Sequence, residues 1–249
     1  MISIVIPVHN SENYIEETVL SVQRQTISDW ELILVNDHSE DKSRNICEAL
    51  AQKDSRIKVI DSENRGAANA RNTGTKAAGG EYLCFLDADD IWLEDKLKKT
   101  LDFLKALNAG FVFTGYEFAD ENARGTGRIV RVPKSLNYDQ ALGNTTIFTS
   151  TVMFDRNKIS QELVMMPDIP SEDTATWWQI LRSGIIAYGL NEPLTLYRRT
   201  QGTLSSDKKE ALKRTWNLYR KAEGLSLGKS LLCFALYSFR AVKRRLGLS

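Results

Sequence analysis

Residues 2–36 read ISIVIPVHNSENYIEETVLSVQRQTISDWELILVN and contain two apolar, β-branched runs with an amphipathic segment between them. In that segment Ile15, Val19 and Val22 recur at helical spacing, which places them on one buried face of a helix. A strand, a helix and a second strand in this order are typical of a parallel α/β sheet, because two parallel strands need a long crossover between them.

The same alternation continues through the first half of the chain. Strands are predicted over residues 2–7, 31–36, 57–60 and 82–86. Their apolar residues are nearly continuous, as expected for strands that helices cover on both faces. A further helix is predicted over residues 97–107, where leucines recur three and four positions apart. The first half therefore predicts a Rossmann-like, mostly parallel sheet.

After Gly110 the pattern changes to short strand-like runs, and we expect a mixed α/β subregion there. The runs are FVFTGYEF (111–118) and TIFTSTVMF (146–154), with a predicted loop over 120–128, a helix over 173–182 and a strand over 185–188. We predict one α/β domain over residues 1–206, with its halves meeting near residue 110, followed by a basic amphipathic helical tail (207–249).

Charge is divided unevenly along the 249 residues. The chain has 33 Lys and Arg against 32 Asp and Glu, a net charge of +1, but residues 208–249 carry 11 of the basic residues and only two glutamates. The tail is therefore strongly basic and the body acidic. An acidic body does not favour nucleic acid, whereas a basic tail attracts an anionic membrane surface.

The sequence also predicts where the protein resides. Its cysteines, Cys47, Cys84 and Cys233, are far apart and match no disulfide or zinc pattern, which favours a reducing compartment. The first residues lack the basic segment of a secretory signal, and the apolar run over 231–239 is too short to span a bilayer. We expect a cytoplasmic protein. Its tail either lies on the inner face of the membrane, or packs on the α/β domain or on a partner in a homodimer.

The polar residues that follow the predicted strands are the first candidates for function, since ligands of open parallel sheets bind beyond the carboxyl ends of the strands. Asp87, Asp89 and Asp90 follow the fourth strand and repel one another unless a cation or several donors offset their charge. Oxygen ligands of this kind suit Mn²⁺ or Mg²⁺. The alternative is that they cap the helix that starts near Leu93.

Two further candidates lie before the acidic segment. Asp37 follows the second strand and either forms a turn or helix cap or accepts a hydrogen bond from a base or ribose. Arg71 lies in the small-residue segment NRGAANARNTGTKAAGGEY (64–82), and either binds a diphosphate or carboxylate or forms a surface salt bridge. Neither GxGxxG after the first strand nor GxxxxGK[ST] is present, which argues against dehydrogenases and P-loop proteins.

The predicted helix over 173–182 offers a second acidic site. Glu172 and Asp173 at its start are either partners of the helix dipole or carry a base for a hydroxyl proton. The adjacent Trp177 and Trp178 belong either to the core or to a wall that faces a sugar ring.

Five segments in order resemble the motifs of the inverting GT-A glycosyltransferases of family 2. They are SIVIPVHNSENYIEETVLSVQRQT (3–26), ELILVNDHSEDKS (31–43), GAANARNTG (66–74), LDADDIW (86–92) and SEDTATWWQILRSG (171–184). The resemblance covers residues 2–206 and implies a catalytic domain over 1–206, with a nucleotide-binding half (1–110) and an acceptor half (111–206). Residues 187–205 are similar to the bacterial branch that builds teichuronic acid, capsule and related surface polysaccharides.

The resemblance implies a donor site for a UDP-sugar. The residues that it assigns to the nucleotide are Pro7, Val8, His9, Asp37, Arg71 and Asp87. Asp89 would hold Mn²⁺ or Mg²⁺ against the diphosphate. The sequence departs from the family pattern at Asn36 and His38, beside Asp37, and at Thr200, where the family often has a histidine.

The resemblance also implies an acceptor site and an activity. Asp173 would take the proton of the acceptor hydroxyl, with Glu172, Trp177, Trp178, Arg198 and Arg199 around the sugars. The expected reaction is inverting transfer from a UDP-sugar to a saccharide, free or lipid-linked, in surface polysaccharide synthesis. The alternatives are a sugar nucleotidyltransferase and a non-catalytic nucleotide- or glycan-binding subunit.

Overall fold

The computed structural model describes residues 1–199 and 208–245, without the side chains of 208–209 and 241–245. These residues form one ten-stranded sheet with helices on both faces. The strands are β1 (Ile2–Val8), β2 (Trp30–Asn36), β3 (Ile57–Asp61), β4 (Tyr82–Phe85), β5 (Ile91–Trp92), β6 (Phe111–Ala119), β7 (Gly125–Val130), β8 (Ser135–Leu136), β9 (Met153–Asp155) and β10 (Ala187–Arg198).

The helices cover the sheet and form the C-terminal segment. They are α1 (Ile15–Gln23), α2 (Ser43–Lys53), α3 (Ala67–Ala77), α4 (Lys96–Ala106), α5 (Tyr138–Leu142), α6 (Gln161–Val164), α7 (Glu172–Arg182), α8 (Lys208–Asn217) and α9 (Leu227–Arg245). A 3₁₀ turn spans Thr149–Thr151 and a π-helical turn spans Leu218–Ala222.

The first half of the sheet is parallel, as the sequence predicts. The strand order is β3-β2-β1-β4-β9-β6-β10-β5, and β1 runs parallel to both β2 and β4. β9 joins the halves by pairing antiparallel with β4 and with β6, so one continuous sheet crosses the expected boundary near Gly110. The carboxyl ends of β1, β2 and β4 meet at one edge of this sheet.

Successive side chains of the central strands point alternately into two apolar cores. Ile4 points to the core that α1 and α2 cover, and Val5 points to the core beneath α3 and α7. The small residues of α3 let this helix lie against the sheet, since a Cβ added at Gly74 would come within 2.3 Å of Cγ1 of Val5.

For three elements predicted in the second half, the predicted bounds are wrong. Within TIFTSTVMF only the end of the run is a strand, β9, because the preceding Thr149–Thr151 turns to bind the acidic segment after β4. The predicted loop over 120–128 is a hairpin in which β7 begins at Gly125. The predicted strand over 185–188 extends to Arg198 as β10, since its pairing with β6 continues past two register shifts around Pro193.

The C-terminal segment packs on the rest of the chain with one of its faces. The ring of Tyr219 stacks on Trp178 with their centroids 5.3 Å apart. Arg182 pairs with the buried Glu223 at 2.7 Å, and Arg240 Nη1 donates to the Gly143 carbonyl at 2.8 Å. Among the described residues no helix is long and apolar enough to cross a membrane.

Candidate active site

Two cavities open at the edge where β1, β2 and β4 end. The Asp37 cavity, of about 400 Å³, is lined by Pro7, His9, Asn10, Ser11, Tyr14, Asp37, Ala67, Asp87, Ala88 and Asp89. The Asp173 cavity, of about 420 Å³, contains Arg71, Asp87, Glu172 and Asp173 together with residues from β6, β10, α8 and α9. Because Asp87 lines both cavities, they meet at its carboxylate.

Asp37 is held rigidly at the floor of the first cavity. It is 6% exposed, and both of its carboxylate oxygens accept the backbone N–H of Gly66 at 3.0 Å. Gly66, with φ of 110°, precedes α3, so Asp37 fixes the start of that helix and not of α2, which follows it in the chain. Its remaining lone pairs face a cavity of nucleoside size.

The end of β1 and the residues that follow it line the same cavity. His9 Nδ1 donates to the Asp37 carbonyl at 2.7 Å, which orients the imidazole beside Pro7. The Val8 side chain points into the core and is fully buried, so the expectation that it lies along the base is wrong for its side chain. Its carbonyl accepts the Asp37 N–H at 2.7 Å and so positions Asp37.

The acidic segment after β4 is stabilised by Ser150. Asp90 is fully buried and accepts from Ser150 Oγ at 2.5 Å and from the Arg198 N–H at 3.1 Å. The same Oγ accepts the Asp87 N–H at 3.1 Å. Burial and the charges of Asp87 and Asp89 raise the pKa of Asp90, and its contacts give it a structural role.

Unlike Asp87 and Asp90, Asp89 has a carboxylate that accepts no hydrogen bond from another described residue. It is half-buried on the Asp37 cavity, and among the described residues it accepts a hydrogen bond only from its own backbone N–H. Burial and the charge of Asp87 raise its pKa to about 6. The described residues contain no cluster of three or more metal-binding side chains. Two carboxylates beside an open cavity fit a hydrated Mg²⁺ or Mn²⁺ that takes its other ligands from substrate phosphates.

Arg71 connects the acidic groups of the two cavities. It is buried, and it donates to Asp87 Oδ1 at 2.7 Å and to Glu172 Oε1 at 2.8 Å. Burial alone would lower its pKa, but the two carboxylates outweigh that effect and raise it. The surface salt bridge considered above is therefore wrong. Arg71 lines the Asp173 cavity but not the Asp37 cavity.

Asp173 lies in the first turn of α7, where the helix dipole favours an anion. Its Oδ1 accepts the Thr174 N–H at 2.6 Å and its Oδ2 accepts Thr149 Oγ1 at 3.2 Å. Burial and the neighbouring charge of Glu172 raise its pKa, while Arg71 opposes the rise. A positioned carboxylate with a raised pKa suits a general base.

The two tryptophans of α7 do not form the expected wall. Trp177 and Trp178 are 2% and 1% exposed, because only the first turn of α7 reaches the cavity and the next turn packs on the sheet. The aromatic wall of the Asp173 cavity comes instead from Tyr116, Phe148 and Tyr197. Ring centroids lie 5.1 Å apart for Tyr116 and Phe148 and 4.5 Å apart for Phe148 and Tyr197.

Arg198 is also placed differently from the expectation. It is 3% exposed, lines neither cavity, and donates to the Asp89 carbonyl at 2.7 Å and to Glu17 at 2.6 Å. It therefore supports the acidic segment and does not form part of a sugar wall. Arg199 is exposed with its guanidinium 4.6 Å from the Phe118 ring centroid, and Thr200 lies outside the described residues.

Comparison with known proteins gives the family that the sequence motifs resemble. The family model described as Glycosyl transferase family 2 matches residues 3–164. TuaG of Bacillus subtilis (strain 168), named as a candidate teichuronic acid biosynthesis glycosyltransferase, is 42% identical over 248 residues, 99% of this chain and 98% of TuaG. The Escherichia coli UDP-Glc:alpha-D-GlcNAc-diphosphoundecaprenol beta-1,3-glucosyltransferase WfgD is 35% identical over 220 residues, 88% of this chain and 85% of WfgD.

A solved structure supports the fold. The S. aureus TarS fragment 1–349, crystallised with UDP-GlcNAc, superposes with a TM-score of 0.71 at 19% identity, covering 100% of this chain and 73% of that chain. The parallel half, the acidic strand end and the second cavity define an enzyme of the GT-A glycosyltransferase class. This chain belongs to glycosyltransferase family 2.

Proposed function

We propose that the enzyme transfers a sugar from a UDP-sugar to a hydroxyl of a lipid-linked saccharide, with inversion at the anomeric carbon, in the synthesis of a bacterial surface polysaccharide. The meeting of the two cavities at Asp87 carries this proposal, since donor and acceptor would come together there. UDP-GlcNAc in the TarS structure and the lipid-linked acceptor in the name of WfgD support the two substrate classes.

The Asp37 cavity would bind the nucleotide. Asp37 accepts hydrogen bonds from the base, while Pro7 and His9 lie along its ring. Asp87 and Asp89 would hold Mn²⁺ or Mg²⁺, which supplies positive charge to the departing diphosphate. Arg198 and Ser150 keep the acidic segment in place, so the ligand carboxylates are preorganised before substrate binds.

The Asp173 cavity would bind the acceptor. Asp173 takes the proton of the acceptor hydroxyl as the oxygen forms its bond to the anomeric carbon, and the bond from that carbon to the UDP oxygen breaks. A single displacement from the side opposite UDP inverts the configuration. Tyr116, Phe148 and Tyr197 offer aromatic faces to the sugar rings.

Replacing Asp89 by Asn is expected to remove most of the Mn²⁺ dependence of UDP binding. Calorimetric titration should give an affinity of the wild type for UDP that is on the order of tenfold higher in Mn²⁺ than in EDTA. In Asp89→Asn the two affinities should converge. Asp95→Asn is the matched control, because Asp95 is exposed and lines neither cavity. Unchanged metal dependence in Asp89→Asn would contradict the assignment.

As pH is lowered, kcat/KM is expected to begin falling at a higher pH than it would if the base had the pKa of an ordinary aspartate. Burial and Glu172 raise the pKa of Asp173, and a general base works only when ionised. Activity is therefore complete above the raised pKa and is lost as pH falls through it. The measurement is kcat/KM against pH at saturating Mn²⁺. A profile that stays flat down to about pH 4, the ordinary range of an aspartate, would contradict the role.

The outer face of α9 would hold the enzyme at an anionic membrane. Leu231, Leu232 and Phe239 are 54%, 62% and 65% exposed, while Cys233 on the opposite face is buried against the domain. The basic residues of the tail supply charge complementary to anionic lipid. An apolar face with basic residues in the same helix is typical of interfacial helices.

The double variant Leu231→Ser/Leu232→Ser is expected to lose most of its binding to vesicles that contain phosphatidylglycerol. Removal of two exposed leucines should weaken co-sedimentation at least about tenfold. Leu107→Ser is the control, since Leu107 at the end of α4 is 44% exposed and lies outside the tail. Equal co-sedimentation of both variants and of the wild type would exclude this face as the membrane contact.

A further inference from the structure

A third cavity, which we call the Lys221 groove, lies beside the Asp173 cavity. It has a volume of about 340 Å³ and is lined by Ile169, Pro170, Arg214, Asn217, Leu218, Lys221 and Ala222. Arg214 and Leu218 also line the Asp173 cavity. A ligand that fills both would therefore pass these two side chains.

The Lys221 groove combines apolar walls with positive charge. Ile169 and Pro170 form one side, and Leu218 and Ala222 of the π-helical turn form the other. Lys221 is exposed and has no ion pair with any described residue. Wide turns of this kind are common at functional sites, and this one brings Lys221 and Ala222 to the groove beside Leu218.

None of the described residues that line this groove is acidic. Glu223 directly follows the π-helical turn, but its side chain is 4% exposed and pairs with Arg182 at 2.7 Å and with the Tyr138 hydroxyl. Asp168 precedes Ile169 in the chain and is not among the lining residues. The charged side chains that line the groove, Arg214 and Lys221, are both basic, and the exposed Lys221 suits a ligand that is both apolar and anionic.

We infer that the Lys221 groove receives the diphosphate and the first isoprenoid carbons of a lipid-linked acceptor, whose terminal sugar lies in the Asp173 cavity; this inference rests on the proposed function. Lys221 pairs with the diphosphate, and the apolar walls contact the chain. A free sugar or an inorganic anion would use only part of the site.

Binding of farnesyl diphosphate to the full chain tests the inference. UDP and Mn²⁺ are present at saturation, so the donor site is occupied before the probe is added. The wild type should bind farnesyl diphosphate at least about tenfold more tightly than inorganic diphosphate or farnesol, because only the first probe satisfies both parts of the groove. Equal affinities for farnesyl diphosphate and inorganic diphosphate would leave only an anion site and overturn the inference.

Two variants localise the binding. Lys221→Glu should weaken farnesyl diphosphate binding by about tenfold, whereas Lys98→Glu, at an exposed lysine of α4, should stay within about twofold. UDP affinity, measured in parallel, reports folding and the donor site. If the wild type did not bind UDP, the proposed function would be contradicted. If Lys221→Glu kept both its UDP binding and its affinity for farnesyl diphosphate, only the inference about the Lys221 groove would be overturned.

Discussion

Asp173→Asn is expected to lower the turnover number by about 10²- to 10⁴-fold, the usual contribution of a general base. Asn has the same shape and keeps an oxygen that can accept from Thr149, but it cannot take the acceptor proton. UDP affinity should be retained, since Asp173 does not line the Asp37 cavity. Steady-state kinetics and UDP titration on the same preparation separate the two effects.

The neighbouring acids provide the controls for this prediction. Asp168→Asn, at an exposed position before α7 that lines neither the Asp37 nor the Asp173 cavity, should leave turnover unchanged. Glu172→Gln should have a smaller effect than Asp173→Asn, because Oε1 of Glu172 is already engaged by Arg71 at 2.8 Å. A larger loss in Glu172→Gln than in Asp173→Asn would transfer the role of base to Glu172.

Arg71→Met is expected to lower the free energy of unfolding by about 3 kcal/mol, since loss of a buried cation leaves its partner carboxylates uncompensated. Asp87 and Glu172 are 26% and 21% exposed, so water offsets part of that cost. Arg71 also lowers the pKa of Asp173. The acid limb of the residual activity should therefore move to higher pH. Chemical denaturation measures the first effect and a pH–rate profile the second.

Arg44→Met is the matched control for Arg71→Met. Arg44 on α2 also contacts two carboxylates, Glu48 and Asp61, but its side chain is 50% exposed. Its removal should change the free energy of unfolding far less than the loss of Arg71 does, because water screens an exposed ion pair. Equal losses in the two variants would contradict the special role of burial at Arg71.

The parallel half of the fold could be predicted because its signals are local. The apolar runs of β1 and β2 and the helical spacing of Ile15, Val19 and Val22 each report one element, and both strands occur within a residue of the predicted bounds. The polar residues at the strand ends follow from the topology. The structure confirms that Asp37, Asp87 and Asp89 line one cavity, while their roles toward substrate stay predictions.

The second half resisted prediction because its determinants are distant in sequence. Tyr116, Phe148 and Tyr197 meet from β6, from the residue before the 3₁₀ turn and from β10, and no local pattern joins them. In the sequence, the adjacent Trp177 and Trp178 are easier to recognise as a candidate aromatic wall than these three residues. Their burial, however, depends on how α7 lies on the sheet. Which side of α9 is exposed likewise depends on which side packs on the domain, although the amphipathic pattern itself is visible in the sequence.

In the proposed reaction the Asp37 cavity binds a UDP-sugar through a divalent metal and delivers it to the Asp173 cavity. A panel of UDP-, GDP- and CDP-sugars, titrated into the purified protein with Mn²⁺ and again with EDTA, tests this proposal. We expect a UDP-sugar to bind, with an affinity that falls on the order of tenfold in EDTA. Preference for another nucleotide, or UDP-sugar binding that is equal in Mn²⁺ and EDTA, would contradict it.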